Sequence, residues 1–293
     1  TGSPVNATVS KKDGKTIIPG KSGVQFDVEK AKEIIGDGSQ ASYSIPVTIT
    51  QPTITEAVLR ERLFRDTLAR TATNLNEGNA PRTNNVRLAA KAINGTILNP
   101  GDVFSYNTVV GERTQARGYQ EAHAYSGGKI IDEFGGGVCQ PSSTLYMAVL
   151  RADLEVVERH NHSFTVSYTP LGEDATVDYG NLDFRFANNT AYPIKILAEQ
   201  TDGQMIMTII GTKTSDKTVA TRTEVLETYK PETVEKQDSS LAAGETQVET
   251  SGITGYSTRT YKVITENGKT TEVLANKSTY SKRDEIVCVG TGS

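Results

Sequence analysis

The chain has 293 residues, enough for two or three domains that each bury a real core. A net charge of −4 and a pI near 5.6 give no basic footprint for nucleic acid. No apolar run approaches the roughly 18 residues that a membrane span needs. Thr-Gly-Ser stands at both ends (residues 1–3 and 291–293) and no signal peptide opens the chain, so a signal or membrane anchor is expected outside this stretch. Threonine is abundant, tryptophan is absent and only two cysteines occur. That composition suits an exported, β-rich protein of a Gram-positive cell surface, held by sheets rather than disulfides.

Residues 4–53 read as a small α+β module. Asp13-Gly14 is a hairpin-type turn between Val5–Val9 and Thr16–Ile18. Phe26–Ile35 reads as a short helix closed by Gly36-Asp-Gly38, and Ile45–Ile49 as a strand. Residues 54–212 follow as a mixed domain, helices first and antiparallel strands after. Thr53-x-x-Glu56 has capping-box spacing before a helix over Glu56–Arg70, and Asn85–Ile93 is a second helix stopped at Asn94-Gly95. Asn99-Pro-Gly-Asp102 turns into Val103–Tyr106. Strands are expected at Ser163–Tyr168, Thr176–Tyr179, Asp183–Phe186, Ile194–Ala198 and Met205–Ile210. Residues 213–243 read as an extended strand and linker broken by Pro231. From 244 to 292 the pattern is all β, with Asn267-Gly268 as a two-residue hairpin turn. The fold class is therefore α+β, with the mixed helix-then-antiparallel-sheet domain between a small α+β module and an all-β C-terminal domain.

Cys139 stands out within this plan. It follows Gly135-Gly-Gly-Val138 and precedes a run whose Leu145, Val149 and Leu150 recur at helical spacing after Pro141. A thiol at the mouth of a helix meets free N–H groups and a partial positive charge, which favour thiolate. The glycines allow a substrate backbone to approach and present N–H donors to an oxyanion. All three histidines, His123, His160 and His162, lie close in sequence. A lone cysteine is ordinarily a small buried hydrophobe, but this setting points to a nucleophile. Cys288, in the alternating run Ile286–Val289, reads as structural or surface; pairing with Cys139 is disfavoured because the two fall in different domains. Three histidines and two cysteines lack zinc-like spacing, so neither metal nor cofactor is expected.

The central stretch resembles the VanW domain family over roughly residues 60–212. The matching residues include Arg82-x-x-Asn85, Leu98-Asn-Pro-Gly-Asp-Val-Phe-Ser105, Gly111-Glu-Arg-Thr114, Gly135-Gly-Gly-Val-Cys-Gln140, Ser142-Ser-Thr-Leu-Tyr146, His160-Asn-His-Ser163, Asp174-Ala-Thr-Val177 and Asp183-x-x-Phe186. The N-terminal module is similar to the tail of a peptidoglycan-binding domain. Residues 214–292 are similar to the five-glycine cell-wall domain, with Gly244, Gly252, Gly255, Gly268 and Gly290 present. The resemblance implies an L,D-transpeptidase that joins two meso-diaminopimelate residues of peptidoglycan stems, with Cys139 as nucleophile, at an extracellular or wall location. The partners it implies are stem peptides. The ordinary L,D-transpeptidase signature, Ser-x-Gly-Cys after a His-Gly pair, is not present.

Under that chemistry His162 is the preferred general base and acid, with His160 the runner-up. On a strand, residues two apart point the same way, so spacing does not choose between them. Asp183, then Asp174, is the expected third member orienting the histidine. Gln140 and the Gly136–Val138 backbone, Gly137 included, are oxyanion candidates. Ser142 and Ser143 either cap the helix or touch substrate, and Arg159, Arg185 and Lys129 are candidates to hold stem carboxylates. His123 reads as a cleft or surface residue. The rival functions are a cysteine endopeptidase or amidase on the same stems and a non-catalytic wall-binding protein. The C-terminal domain carries no clustered nucleophile or base. Its removal is expected to spare the chemistry on soluble substrate while weakening retention on walls.

Overall fold

The computed structural model describes residues 2–126 and 129–292, without the side chains of 123–126 and 129–132. In the N-terminal segment β1 (Thr8–Val9) pairs antiparallel with β2 (Ile17–Ile18) across a turn in which Gly14 has φ +64°. The next strand, β3 (Gly23–Gln25), leads to α1 (Val28–Ile35), which Asp27 caps by accepting the Glu29 and Lys30 N–H groups. Strand β4 (Thr48–Thr50) returns against β3. Ala7, Ile17, Ile54 and Leu59 then form a small apolar cluster with Tyr192, which seats this segment on the central part.

Helix α2 (Glu56–Arg62) starts on Thr55, whose hydroxyl accepts the Val58 N–H, and stops well short of the expected Arg70. Phe64 takes φ +53°, and Asp66–Asn74 becomes strand β5. The physical reason is tertiary. This segment carries β-branched Thr67, Thr71 and Thr73 and pairs along its length with a later strand, so sheet formation overrides the helical pattern.

Next come α3 (Ala80–Ile93), capped by Asn79, then β6 (Ile97–Leu98), β7 (Val103–Ser105), α4 (Tyr106–Val110) and the hairpin β8 (Glu121–Ser126) with β9 (Lys129–Phe134). Helix α5 (Cys139–Arg151) is followed by β10 (Glu155–Glu158), β11 (Arg185–Ala187), β12 (Ile194–Thr201) and β13 (Gln204–Gly211). The central sheet has the order β5-β13-β12-β6, and its Ile194, Ile196, Met205, Met207 and Ile209 pack with α3 and α5 in the main core. Strands β10, β11 and β7 form a second, smaller sheet. The single antiparallel sheet expected after α5 is thus divided. Residues 163–184 are irregular, with bridges only at His160–Thr176 and Asp178–Leu182. Pro170, Gly172 and Gly180 interrupt this stretch, and side chains take some of its backbone groups: Ser143 Oγ accepts the Ala175 N–H.

The C-terminal part is all β: β14 (Thr218–Tyr229), β15 (Thr233–Ala242), β16 (Thr246–Thr250), β17 (Gly255–Glu266), β18 (Lys269–Tyr280) and β19 (Glu285–Gly292). Two three-stranded sheets result, β14-β17-β18 and β15-β19-β16, with β15 parallel to β19. The stretch expected as strand and linker is two long strands. Asn267 and Gly268 both have positive φ, +50° and +73°, which a two-residue hairpin turn of this kind requires. Cys139 and Cys288 are both free thiols.

Candidate active site

Three glycines bring the chain into α5. Gly135 and Gly137 hold φ +88° and +101°, and a Cβ on Gly137 would lie 2.6 Å from Arg82 Cγ, so the arginine stem passes where only glycine leaves room. The turn is fixed from both sides. Asn85 Nδ2 donates to Gly136 O at 3.0 Å, and the Tyr106 hydroxyl donates to Val138 O at 2.7 Å. Cys139 is therefore presented, half-buried, on the first turn of a rigid helix.

Around its Sγ lie the Val177 N–H and the Thr176 hydroxyl, each at 3.5 Å, and the His162 ring. Burial pushes the thiol up. The hydrogen bond and charge of His162, with smaller help from Val177 N–H and Thr176, more than offset this and hold it below the usual thiol value.

His162 Nδ1 lies 2.7 Å from Asp174 Oδ2, which also accepts the His162 N–H at 2.7 Å. With Nδ1 so engaged, the Nε2 edge is left for Cys139 and for the Tyr168 hydroxyl at 3.4 Å. Burial lowers the basicity of the ring, but the bond to Asp174 and the contact with Cys139 raise its pKa to about 9. Asp174 is almost fully buried. Burial alone pushes its carboxyl up, and the hydrogen bond from His162 with the Arg159 charge brings it below the usual range. Its Oδ1 accepts from Arg159 Nη2 at 2.9 Å and from the Tyr280 hydroxyl at 2.5 Å.

The remaining sequence candidates are distributed differently. His160 points to Glu158, Nε2 to Oε1 at 3.1 Å, with 41% of its side chain exposed against 11% for His162. The two rings do not share a face because this segment is not a regular strand. Asp183 does not reach the site: it accepts from Asn107 N at 2.9 Å and from Ser105 Oγ at 2.6 Å, fixing the start of α4, and Asp174 takes the place beside His162. Gln140 is buried, its Nε2 donating to Thr73 Oγ1 and Asn74 O. Ser143 Oγ donates to Cys139 O at 2.8 Å, while Ser142 is buried with no hydroxyl partner among the described residues. Arg159 is consumed internally by Asp174 and Ser278 Oγ, and Arg185 lies 3.7 Å from Glu158. The side chains of His123 and Lys129 fall outside the described ones.

The cleft holding Cys139 and His162 has a volume of about 410 Å³, and its walls include Arg82, Glu133, Tyr168 and Asn181. Arg82 has no carboxylate within ion-pair distance among the described residues; its Nη2 donates to Gln140 Oε1 at 2.6 Å. Sequence reasoning noted Arg82 only as part of the family pattern and gave it no role. No group of three or more His, Cys, Asp or Glu is arranged to hold a metal ion among the described residues.

Residues 81–210 match the family of VanW like proteins, and residues 220–292 match the G5 domain. The chain is 37% identical over 210 residues to the uncharacterized protein YoaR of Bacillus subtilis, spanning 70% of this chain and 68% of that protein. The chain belongs to the VanW family. It is 29% identical over 134 residues to the vancomycin B-type resistance protein VanW of Enterococcus faecalis, spanning 44% of this chain and 49% of that one. The C-terminal part is similar to the IgA1 protease G5 domain at 18% identity, over 27% of this chain and 98% of that one, with a TM-score of 0.20. Cys139, His162 and Asp174 all lie within the VanW match, whereas Tyr280 lies within the G5 match.

Proposed function

We propose that the protein acts in cell-wall metabolism as a cysteine acyltransferase of the L,D-transpeptidase type, joining peptidoglycan stems between two meso-diaminopimelate residues. The observation that carries this reading is the line Cys139–His162–Asp174 opening at a helix N-terminus into a cleft. A thiolate paired with an imidazolium is the resting state that thioester chemistry needs. Family membership supports the wall setting, and the G5 match supports association with wall material.

In the first half-reaction Cys139 Sγ attacks the carbonyl of the third residue of a tetrapeptide stem, forming a C–S bond and a tetrahedral oxyanion. The Cys139 N–H, at the first helical position and so without an intrahelical acceptor, is a backbone donor available to that oxygen. The C–N bond then breaks, His162 gives its proton to the departing amine, and D-alanine leaves. In the second half-reaction His162 takes a proton from the side-chain amine of another stem as that amine attacks the thioester. The C–S bond breaks and the thiolate returns. Arg82, a partly buried cation beside the nucleophile, suits the terminal carboxylate of the donor stem.

Incubation with soluble disaccharide tetrapeptides tests this. Cross-linked dimers with release of D-alanine are expected from the intact protein and not from Cys139→Ala, together with a thioester adduct on Cys139. Shortened monomers alone would make the protein a hydrolase. An unchanged substrate pool with binding to walls would overturn the enzymatic reading altogether.

A further inference from the structure

The C-terminal domain is more than a neighbour of the cleft. The face of β17 and β18 turned toward the central domain buries Thr258, Thr260, Ser278 and Tyr280, each at most 2% exposed. Polar side chains buried this completely have to be satisfied. Thr258 and Thr260 find partners within the C-terminal domain, whereas Ser278 and Tyr280 find theirs among the residues that hold His162 in place. Tyr280 donates to Asp174 Oδ1 and accepts the Gly172 N–H at 2.8 Å. Ser278 Oγ accepts from Arg159 Nη1 at 2.8 Å, while the other terminal nitrogen of the same guanidinium binds Asp174. Asn276 Nδ2 donates to Tyr146 Oη on α5 and to Gly172 O.

The segment bearing His162 is tied to the same strand end. Ser281 N donates to Ser163 O at 2.7 Å, and Asn161 Nδ2 donates to Thr279 O at 2.8 Å. Gly172, with φ +77°, has no room for a side chain because a Cβ would overlap Thr260 Oγ1. The turn leading to Asp174 is thus pressed between α5 and β17. Away from the site, Thr221 of β14 bridges Arg151 and Glu173, and Thr223 donates to Leu171 O at 2.9 Å.

We infer that the C-terminal domain is a constitutive part of the active site, with Tyr280 and Ser278 as positioning residues that hold Asp174 and Arg159 so that His162 faces Cys139. This rests on the Cys139–His162–Asp174 reading above. Of the four donors around the Asp174 carboxylate, His162 supplies two and Arg159 one; the fourth comes from the C-terminal domain. Removing that hydroxyl leaves Oδ1 one donor short and the Gly172 N–H without its acceptor. The carboxylate is then free to shift from Nδ1, the imidazolium loses support, and the thiolate loses its counter-charge. The separable wall-binding appendage expected from sequence would have no such effect.

The test uses the full chain with Tyr280→Phe and, separately, Ser278→Ala, because a truncation at residue 213 would expose the buried face and confound folding with chemistry. Two readouts are taken with thermal unfolding as control: kcat and KM on soluble tetrapeptides, and the rate of Cys139 alkylation by iodoacetamide from pH 5 to 10. Expected for Tyr280→Phe is a fall in kcat of about tenfold or more, as for outer partners of other catalytic groups, with KM little changed. Its alkylation profile moves to higher pH, and Ser278→Ala moves it the same way by less. Wild-type kcat and an unmoved profile in both variants, even with a lowered unfolding temperature, would overturn the inference and leave a purely structural contact. A wild-type protein alkylated only above the ordinary thiol range would instead sink the thiolate–imidazolium reading itself, so the two failures are distinguishable.

Discussion

Asp174 Oδ2 receives both the ring Nδ1 and the main-chain N–H of His162, each at 2.7 Å, so one oxygen fixes the orientation of the ring and of the backbone that carries it. This double attachment keeps an Nδ1–H on the carboxylate in both charge states and turns Nε2 toward the thiol. The imidazolium carries its second proton there, and once that proton is given away the ring is left in the tautomer a general base requires. Asp174→Asn presents an amide edge that no longer compels this tautomer. Turnover should fall by roughly 10⁴, the loss seen when the acid of a serine triad becomes an amide. The variant should also unfold more easily, since buried Arg159 loses its carboxylate at a cost of about 3–5 kcal/mol. Asp183→Asn is the contrast. It turns charge-assisted bonds to the start of α4 into neutral ones, costing about 1 kcal/mol, and leaves turnover within a factor of two or three, as urea unfolding and dimer formation would show.

His162 and His160 should separate cleanly. His162→Ala removes the proton carrier and should cost about 10²–10⁴ in rate. His160→Ala loses only a half-exposed contact with Glu158 and should leave the rate close to wild type. A larger loss from His160→Ala than from His162→Ala, measured under the same dimerisation conditions, would reverse the assignment.

How much of this was legible in the chain differs from residue to residue. Cys139 was visible because local signals agreed: positive-φ glycines, then a helix with Pro141 in its first turn. Helix α3 and the Asn267-Gly268 hairpin were legible for the same reason. The expectation that His160 and His162 point the same way failed, since period-two alternation presumes a strand and residues 161–168 form none. Asp174 ranked below Asp183 because nothing local distinguishes two acids nine residues apart; only the loop closure that folds 172–174 back on His162 does. The misread end of α2 has the same root, because β5 exists only by pairing with β13, more than 130 residues later. Tyr280 carries no sequence signal at all: it is an ordinary strand tyrosine until another domain brings a buried carboxylate to its hydroxyl.

The thiol–imidazole pair also sets a pH signature for stability. His162, raised from 6.5 to about 9, contributes stability that is fully present below pH 6.5 and lost as pH rises through 9. Cys139, depressed below its ordinary 9.0, contributes stability that is present above pH 9 and lost as pH falls through its folded value. Between about 6.5 and 9 the two slopes oppose. The unfolded chain holds the proton on sulfur and the folded chain holds it on nitrogen, so little net proton exchange accompanies unfolding. Cys139→Ala removes one side of this balance and leaves His162 raised by Asp174. Its urea midpoint should therefore drop relative to wild type as pH is raised from 6.5 to 9. Parallel midpoint curves for the two proteins would show that no proton is shared.

Arg82 offers the sharpest view of substrate. Its guanidinium lines the cleft beside Cys139, is braced on Gln140 Oε1 and has no acidic partner within ion-pair distance among the described residues. Burial lowers its pKa, with the nearby Tyr168 and Cys139 acting the other way, yet it stays a cation as every arginine does. A partly buried positive charge with no carboxylate partner among the described residues is suited to one from the ligand. Arg82→Gln should raise KM for the tetrapeptide donor, lowering kcat/KM by about 10- to 100-fold for the loss of a charge-assisted bond of about 1.5–3 kcal/mol. The discriminating partner is a donor stem whose terminal carboxylate is amidated. Wild type should lose about as much on the amidated stem as Arg82→Gln loses on the native one. The variant should be nearly indifferent to amidation, giving the coupling that a double cycle reads as direct contact. Equal penalties from amidation in both proteins would show that the carboxylate is bound elsewhere and that Arg82 serves only to hold Gln140 and the glycine turn.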